Sequence, residues 1–383
     1  MFNRRTFLRL SGLTAASDFS YKSLLNSLDP EPVRFVGDGP MYSPEQCIAK
    51  LQEINKNHPI ERDAYGKGGS IDQLTKAFAE MTGKEAAIYL ASGTLANQLA
   101  ISVLSGENTK VFVQETSHVY RDEGDAAQSV FSKRLIPLAS EKAFFTLEEL
   151  QQSIEDHLQG EVFRSGFGAV SIENPVRRCD GQYVPISEIK RISTYCREKG
   201  YKLHLDGARI HLAAAFSGTS VAEYASHFDT IYISLYKYLG APGGAMLCGP
   251  KAIIDRMEHL AKVHGGVIYM NWVSAAMALH HLNGIDDRFK KMATQSKQLF
   301  SSLNQLPGIT ITPLENGTNI AGLKLAANVN ASKLIDSLWQ KHRIALARNM
   351  VDNTTRLMVN DSLLNRSNDQ IVAAFKEALT VAK

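Results

Sequence analysis

The chain has 383 residues, 44% of them hydrophobic and 21% charged, with 42 Lys and Arg against 39 Asp and Glu for a net charge of +3. That length exceeds what one core fills and predicts two domains or one large domain with an appendage, the near balance of charge does not point to nucleic acid, and no apolar run is long enough to span a bilayer. Cys47, Cys179, Cys196 and Cys248 lack paired close spacing, so neither a zinc or other metal site nor a disulfide framework is expected.

In chain order, Asn3-Arg4-Arg5-Thr6-Phe7-Leu8-Arg9 is similar to a twin-arginine export signal, but the apolar stretch behind it is short and stops at Asp18. Residues 1–34 are expected to form an N-terminal arm. A cytoplasmic location is expected, or a periplasmic one if that signal functions. Ser43-Pro44-Glu45-Gln46 starts a helix with a capping box, and Ser70-Ile71-Asp72-Gln73 repeats the pattern. Between them, Asp63-Ala64-Tyr65-Gly66-Lys67-Gly68-Gly69 reads as a turn or a loop folding over a site. Ala86-Ala87-Ile88-Tyr89-Leu90 is a strand, followed by Ser92-Gly93-Thr94 and a helix expected to begin at Leu95 or Ala96. Free backbone N–H groups at such a helix start make a phosphate site, while an isolated Ser-Gly-Thr ordinarily does no more than cap its helix.

Val111-Phe112-Val113-Gln114 is the next strand, and His118 follows its end closely enough to lie over a ring bound at the sheet edge. Thr146-Leu147-Glu148-Glu149 opens a capped helix. Gly168-Ala169-Val170-Ser171-Ile172 is a strand running into Glu173-Asn174-Pro175-Val176-Arg177-Arg178, and a helix after Pro185 carries Ile189, Ile192 and Cys196 at core spacing. A further helix runs to about Lys262. From about Asp286 the alternation of strand and helix gives way to an α+β order that ends in a helix capped by Ser367 and Gln370. The expected division is a large domain over 35–285 and a small one over 286–383.

Two apolar runs end in ionisable residues beside glycines: Leu203-His204-Leu205-Asp206 and Thr230-Ile231-Tyr232-Ile233-Ser234-Leu235-Tyr236-Lys237. In an open α/β sheet both would face the crevice at the strands' C-terminal ends. One carboxylate and one amine suit pyridoxal phosphate, which bonds covalently to a lysine and needs an acid against its ring nitrogen.

Asp206-Gly207-Ala208-Arg209, taken with Leu235-Tyr236-Lys237-Tyr238-Leu239-Gly240-Ala241-Pro242-Gly243-Gly244, resembles the threonine aldolase and β-eliminating lyase family of fold-type I pyridoxal-phosphate enzymes. The similarity extends thinly from about Phe35 to the C-terminus. It implies an α/β fold with a mostly parallel, seven-stranded-type sheet between helices and a smaller C-terminal α+β domain. It also implies Lys237 as the coenzyme lysine, Asp206 at the ring nitrogen, Ser92, Gly93 and Thr94 at the phosphate, and His118 stacked on the ring. By the same resemblance Glu123 is a nearby acid, Arg209 and Arg356 contact the substrate carboxylate, and Tyr65 serves a site, often the neighbouring subunit's, in a homodimer or homotetramer. Arg177 is either a further carboxylate contact or solvated.

Three positions depart from the family pattern. Val176 falls where a histidine is usual, Gly37 where a serine touches the carboxylate, and Ile268-Tyr269-Met270-Asn271 where an arginine-bearing segment is expected. With an amino acid as substrate, the implied activity is cleavage of Cα–Cβ in a threonine-like β-hydroxy amino acid to glycine and an aldehyde. A β-eliminating lyase and a non-enzymatic binding protein are the alternatives.

Overall fold

The computed structural model describes residues 31–383, so the Arg4-Arg5 segment lies outside the described residues. Seven strands make the main sheet: β2 (Ala86–Leu90), β3 (Lys110–Gln114), β4 (Arg134–Leu138), β5 (Phe167–Glu173), β6 (Lys202–Asp206), β7 (Thr230–Ser234) and β8 (Ala245–Gly249). Their order is β2-β8-β7-β6-β5-β3-β4. Every neighbouring pair is parallel except the two that β8 makes with β2 and β7. Because β8 is flanked by antiparallel partners, β2 runs the same way as β7. The C-terminal ends of β2, β3, β5, β6 and β7 therefore share one edge, which puts Ser92, His118, Glu173, Asp206 and Lys237 on the same rim.

Strands β3, β5, β6 and β7 are almost continuously buried, as a parallel sheet covered on both faces requires. The strand β4 was not legible, since Pro137 interrupts its apolar pattern. It sits at the sheet edge, where a missing N–H costs no ladder bond.

Three capping boxes form as their spacing dictates, at Ser43, Thr146 and Ser367. The Ser70 cap does not. The helix Gly69–Thr82 starts earlier, with Gly68 as N-cap and Ser70 buried in the first turn. Asp72 Oδ1 accepts from the Gly68 N–H at 2.9 Å, but no side chain caps this helix. Gly69 is required there, because a Cβ would lie 2.5 Å from the Arg62 carbonyl oxygen.

A second, antiparallel sheet of β9 (Ile309–Pro313), β10 (Ile320–Leu325) and β12 (Thr354–Met358) forms the C-terminal α+β layer, with the helices Ala331–His342 and Asn368–Ala382. Residues at the expected edge of the arm join this layer. Val33–Arg34 (β1) pairs in parallel with Ile344–Ala345 (β11), and the Phe35 ring meets Phe375 edge-on at 6.2 Å. Among the described residues no helix is long and apolar enough to cross a membrane.

Candidate active site

Ser92, Gly93, Thr94, His118, Asp206 and Lys237 line one cavity at the sheet rim, together with Arg209. The first of these come from the turn after β2. The helix Gly93–Ser105 begins two residues before its expected start because Ser92, in extended conformation, caps it through its side chain, Oγ accepting from the Leu95 N–H at 3.2 Å. Starting at Gly93 leaves the Gly93 and Thr94 amides without helical partners, at the positive end of a thirteen-residue helix. A Cβ on Gly93 would fall 2.1 Å from the Tyr232 hydroxyl, so only glycine lets the turn close against that ring. Capping and anion binding thus coexist: the Ser92 oxygen serves the helix while the amides stay available.

Asp206, at the end of β6, is 2% exposed and held on both oxygens. Oδ1 accepts from the Ala208 N–H at 3.1 Å and Oδ2 from Asn97 Nδ2 at 2.9 Å. The same Asn97 nitrogen donates to Glu123 Oε1 at 2.8 Å, so both amide hydrogens go to carboxylates and the amide oxygen has to accept. Its donor is His204 Nε2 at 2.9 Å. Burial lowers the His204 pKa to about 4, which keeps the ring neutral, with Nδ1 accepting from Thr230 Oγ1 at 2.8 Å. A chain of neutral groups from Thr230 to Asn97 therefore fixes the direction in which Asp206 presents its charge.

Lys237 is 7% exposed, and among the described residues its amine makes no hydrogen bond or ion pair. Burial, then the Arg209 charge, push its pKa below the ordinary lysine value. His118 Nδ1 lies 3.0 Å from Glu123 Oε1. That hydrogen bond outweighs burial and, with the Asp206 charge, raises the imidazole pKa above its usual value. Glu173, at the end of β5 and in register with Asp206, was not read as a site residue, although β5 ends in an acid just as β6 does. Its oxygens accept from the His118 N–H at 2.6 Å and the Arg177 N–H at 2.8 Å. Burial and the neighbouring Asp206 raise its pKa to about 7.

The other expected residues divide. Arg209 is in the cavity, but Asp38 takes its Nε at 2.9 Å and Nη2 at 2.7 Å, so two of its donors are already committed. Burial alone would raise the Asp38 pKa; the guanidinium overrides it and holds the carboxyl below its usual range. Arg356 and Arg177 line an adjoining cavity that also includes Arg209. Tyr65 does not reach the Lys237 cavity within its own chain. Its ring packs edge-on to Tyr269 at 5.0 Å, with Lys262 Nζ 5.4 Å above it, and its loop is tied to 268–271 by Asp63, which accepts from the Asn271 N–H at 2.7 Å. Val176 is fully buried and offers no polar group.

These residues fit pyridoxal phosphate: an anion cradle of free amides, an oriented carboxylate and a buried amine with a lowered pKa converge on one hollow. Comparison with known proteins points the same way. The chain is 30% identical over 302 residues to a low-specificity L-threonine aldolase of Candida albicans, covering 78% of this chain and 79% of that one. It is 31% identical over 283 residues to the low specificity L-threonine aldolase of Saccharomyces cerevisiae, covering 73% and 71%. Its fold, that of fold-type I pyridoxal-phosphate enzymes, superposes with a TM-score of 0.76 on a protein from Exiguobacterium sp. 255-15 provisionally named an aromatic amino acid beta-eliminating lyase/threonine aldolase, which is 26% identical with coverage of 92% and 98%. The beta-eliminating lyase pattern matches residues 48–326. With most of the chain, including the whole Lys237 rim, inside that match, the protein belongs to the beta-eliminating lyase family.

Proposed function

We propose that this protein is a pyridoxal-phosphate-dependent lyase that cleaves Cα–Cβ of a β-hydroxy-α-amino acid, giving glycine and an aldehyde. The observation that carries the reading is the convergence of Lys237, Asp206, His118 and the Ser92–Thr94 turn on one cavity, in a chain similar to threonine aldolases. When bound, pyridoxal phosphate supplies the electron sink that accepts the electrons of the bond broken at Cα.

The protein's own groups do the rest. Lys237, with its lowered pKa, offers a larger fraction of free amine for covalent attachment of an aldehyde. Asp206 presents a fixed carboxylate for a ring N–H, and the Gly93 and Thr94 amides take phosphate oxygens. Arg356, whose Nε is paired with Asp180, retains a guanidinium edge for the substrate carboxylate and shares that contact with Arg209, whose side-on pairing with Asp38 spends two of five donors. Glu123 fixes the imidazole tautomer by accepting from His118 Nδ1, which leaves Nε2 to receive the substrate's β-hydroxyl proton, directly or through water. As that proton leaves, C=O forms at Cβ and the Cα–Cβ bond opens; reprotonation at Cα yields glycine.

Product analysis with threonine and allo-threonine tests the reading: glycine and acetaldehyde are expected. 2-Oxobutanoate and ammonia in their place would favour β-elimination, the alternative to which buried Val176 lends weight by removing a second proton-handling side chain.

His118 works as a base only when neutral, and its raised pKa puts the acid limb of kcat/KM above the ordinary histidine value. Glu123→Gln removes the charge that favours the imidazolium, so the limb is expected to move to lower pH. A pH–rate profile that stays in place in that variant would take His118 out of the proton transfer.

We infer in addition that the enzyme is a homodimer or a dimer of dimers. Support comes from Tyr65, Val263, Ile268, Tyr269 and Met270, large apolar side chains that are all exposed around one loop pair. Light scattering is expected to give the mass of two or four chains, and a fully active monomer would overturn this.

A further inference from the structure

We propose that the substrate's side chain carries an anionic group of its own, a second carboxylate or a phosphate, and that Arg177 receives it; this rests on the lyase reading of the neighbouring site. The cavity that would hold that group has a volume of about 430 Å³ and brings together Arg177, Arg178, Arg209 and Arg356 with Asp38 and Asp180. Arg209 lines both this cavity and the one at Lys237, so the two adjoin at its side chain.

Counting donors separates the four guanidiniums. Arg209 spends two N–H groups on Asp38. Arg178 spends two on Asp122, with Nε at 2.9 Å from Oδ2. Arg356 pairs through Nε with Asp180. Arg177 makes one long contact, Nη1 to an Asp122 oxygen already engaged by Arg178, at 3.5 Å. A side-on pair spends two of a guanidinium's five donors, so each of the four keeps some, and Arg177, held by one long contact, and Arg356 are the least engaged. A single amino-acid carboxylate occupies one of them. The second is left for another planar or tetrahedral oxyanion, the ligand for which an arginine fork is shaped.

Arg177 is also placed for this. Its backbone N–H and that of His118 are bound by the two oxygens of Glu173, so the residue starts one carboxylate away from the histidine at the substrate's hydroxyl end. Its side chain is 53% exposed, so it can turn onto a ligand without first burying a bare charge. A substrate ending in a methyl group would leave both the cavity and this guanidinium to water.

The test uses the holoenzyme and β-hydroxy amino acids of matched length ending in a carboxylate, a phosphate or a methyl group. The parent enzyme is expected to favour at least one anionic ending over methyl by about tenfold or more in kcat/KM, with the advantage shrinking as ionic strength rises. The better of the two anionic arms identifies the group. Arg177→Gln is expected to bring the anion-to-methyl ratio close to one, and Arg177→Lys to retain part of it. Equal or poorer use of both anionic endings by the parent would overturn the proposal, as would an Arg177→Gln variant that lowers all three substrates in parallel. A second readout does not need cleavage: the change in coenzyme absorbance on adding aspartate or glutamate, against asparagine or glutamine. Tighter, Arg177-dependent binding of the acids, with no glycine released from any of the three β-hydroxy substrates, would mean that the lyase reading has failed while the anion subsite stands.

Discussion

Replacing Lys237 with alanine is expected to abolish turnover, by on the order of 10³-fold or more, and to remove the visible absorbance of covalently held coenzyme. No neighbour can substitute: among the described residues lining that cavity, Lys237 brings the sole primary amine. The same change is expected not to destabilise the coenzyme-free chain. The amine is buried beside Arg209, both of which lower its pKa, and it has no hydrogen-bonding partner among the described residues, so the fold bears a desolvated charge that alanine would relieve. Loss of turnover without loss of thermal stability in the apo form separates a chemical role from a structural one. Retention of the absorbance band in Lys237→Ala would refute the assignment of this lysine.

Substituting Asp206 should produce the next largest effect. Asp206→Asn keeps the shape but not the charge at the ring nitrogen, and turnover is expected to fall by about 10²–10³-fold, the cost typical of removing one preorganised electrostatic contact. Asp206→Ala is expected to lose stability as well. It leaves the Ala208 N–H and one Asn97 hydrogen unpaired in a buried site, at about 1–3 kcal/mol for each group left unsatisfied. Both variants remove the charge that, after burial, raises the Glu173 pKa, so the Glu173 carboxyl should titrate at lower pH in each. Carbonyl-region infrared spectra across pH would follow that shift. Turnover of Asp206→Asn within threefold of the parent would show that no negative charge is needed at this position.

Elements whose cause is local were legible in the chain alone. The capping boxes at Ser43, Thr146 and Ser367, the buried strands ending at Asp206 and before Lys237, and the helix carrying Ile189, Ile192 and Cys196 all rest on interactions spanning a few residues. Asp206 and Lys237 were legible from their strand ends, whereas Ser92, Gly93, Thr94 and His118 were singled out by the family resemblance; parallel strands bring all six to one cavity. Where two local signals competed, nearby geometry decided. Gly68 displaced Ser70 as the N-cap, and the Ser92 cap moved a helix start back to Gly93.

What only the tertiary structure decided are the relations between distant segments. The register of β5 on β6 sets Glu173 opposite Asp206 and thereby raises its pKa. Asn97 joins the acids of two separate segments, Glu123 and Asp206, because the helix Gly93–Ser105 passes beneath both. Asp38 reaches across 171 positions to occupy one edge of Arg209, and that leaves Arg177 as the least engaged fork in the adjoining cavity. Periodicity and composition carry no record of such pairings. A side chain's partners, and with them its free donors and its charge, are set by strand order and register, which depend on packing the whole sheet at once.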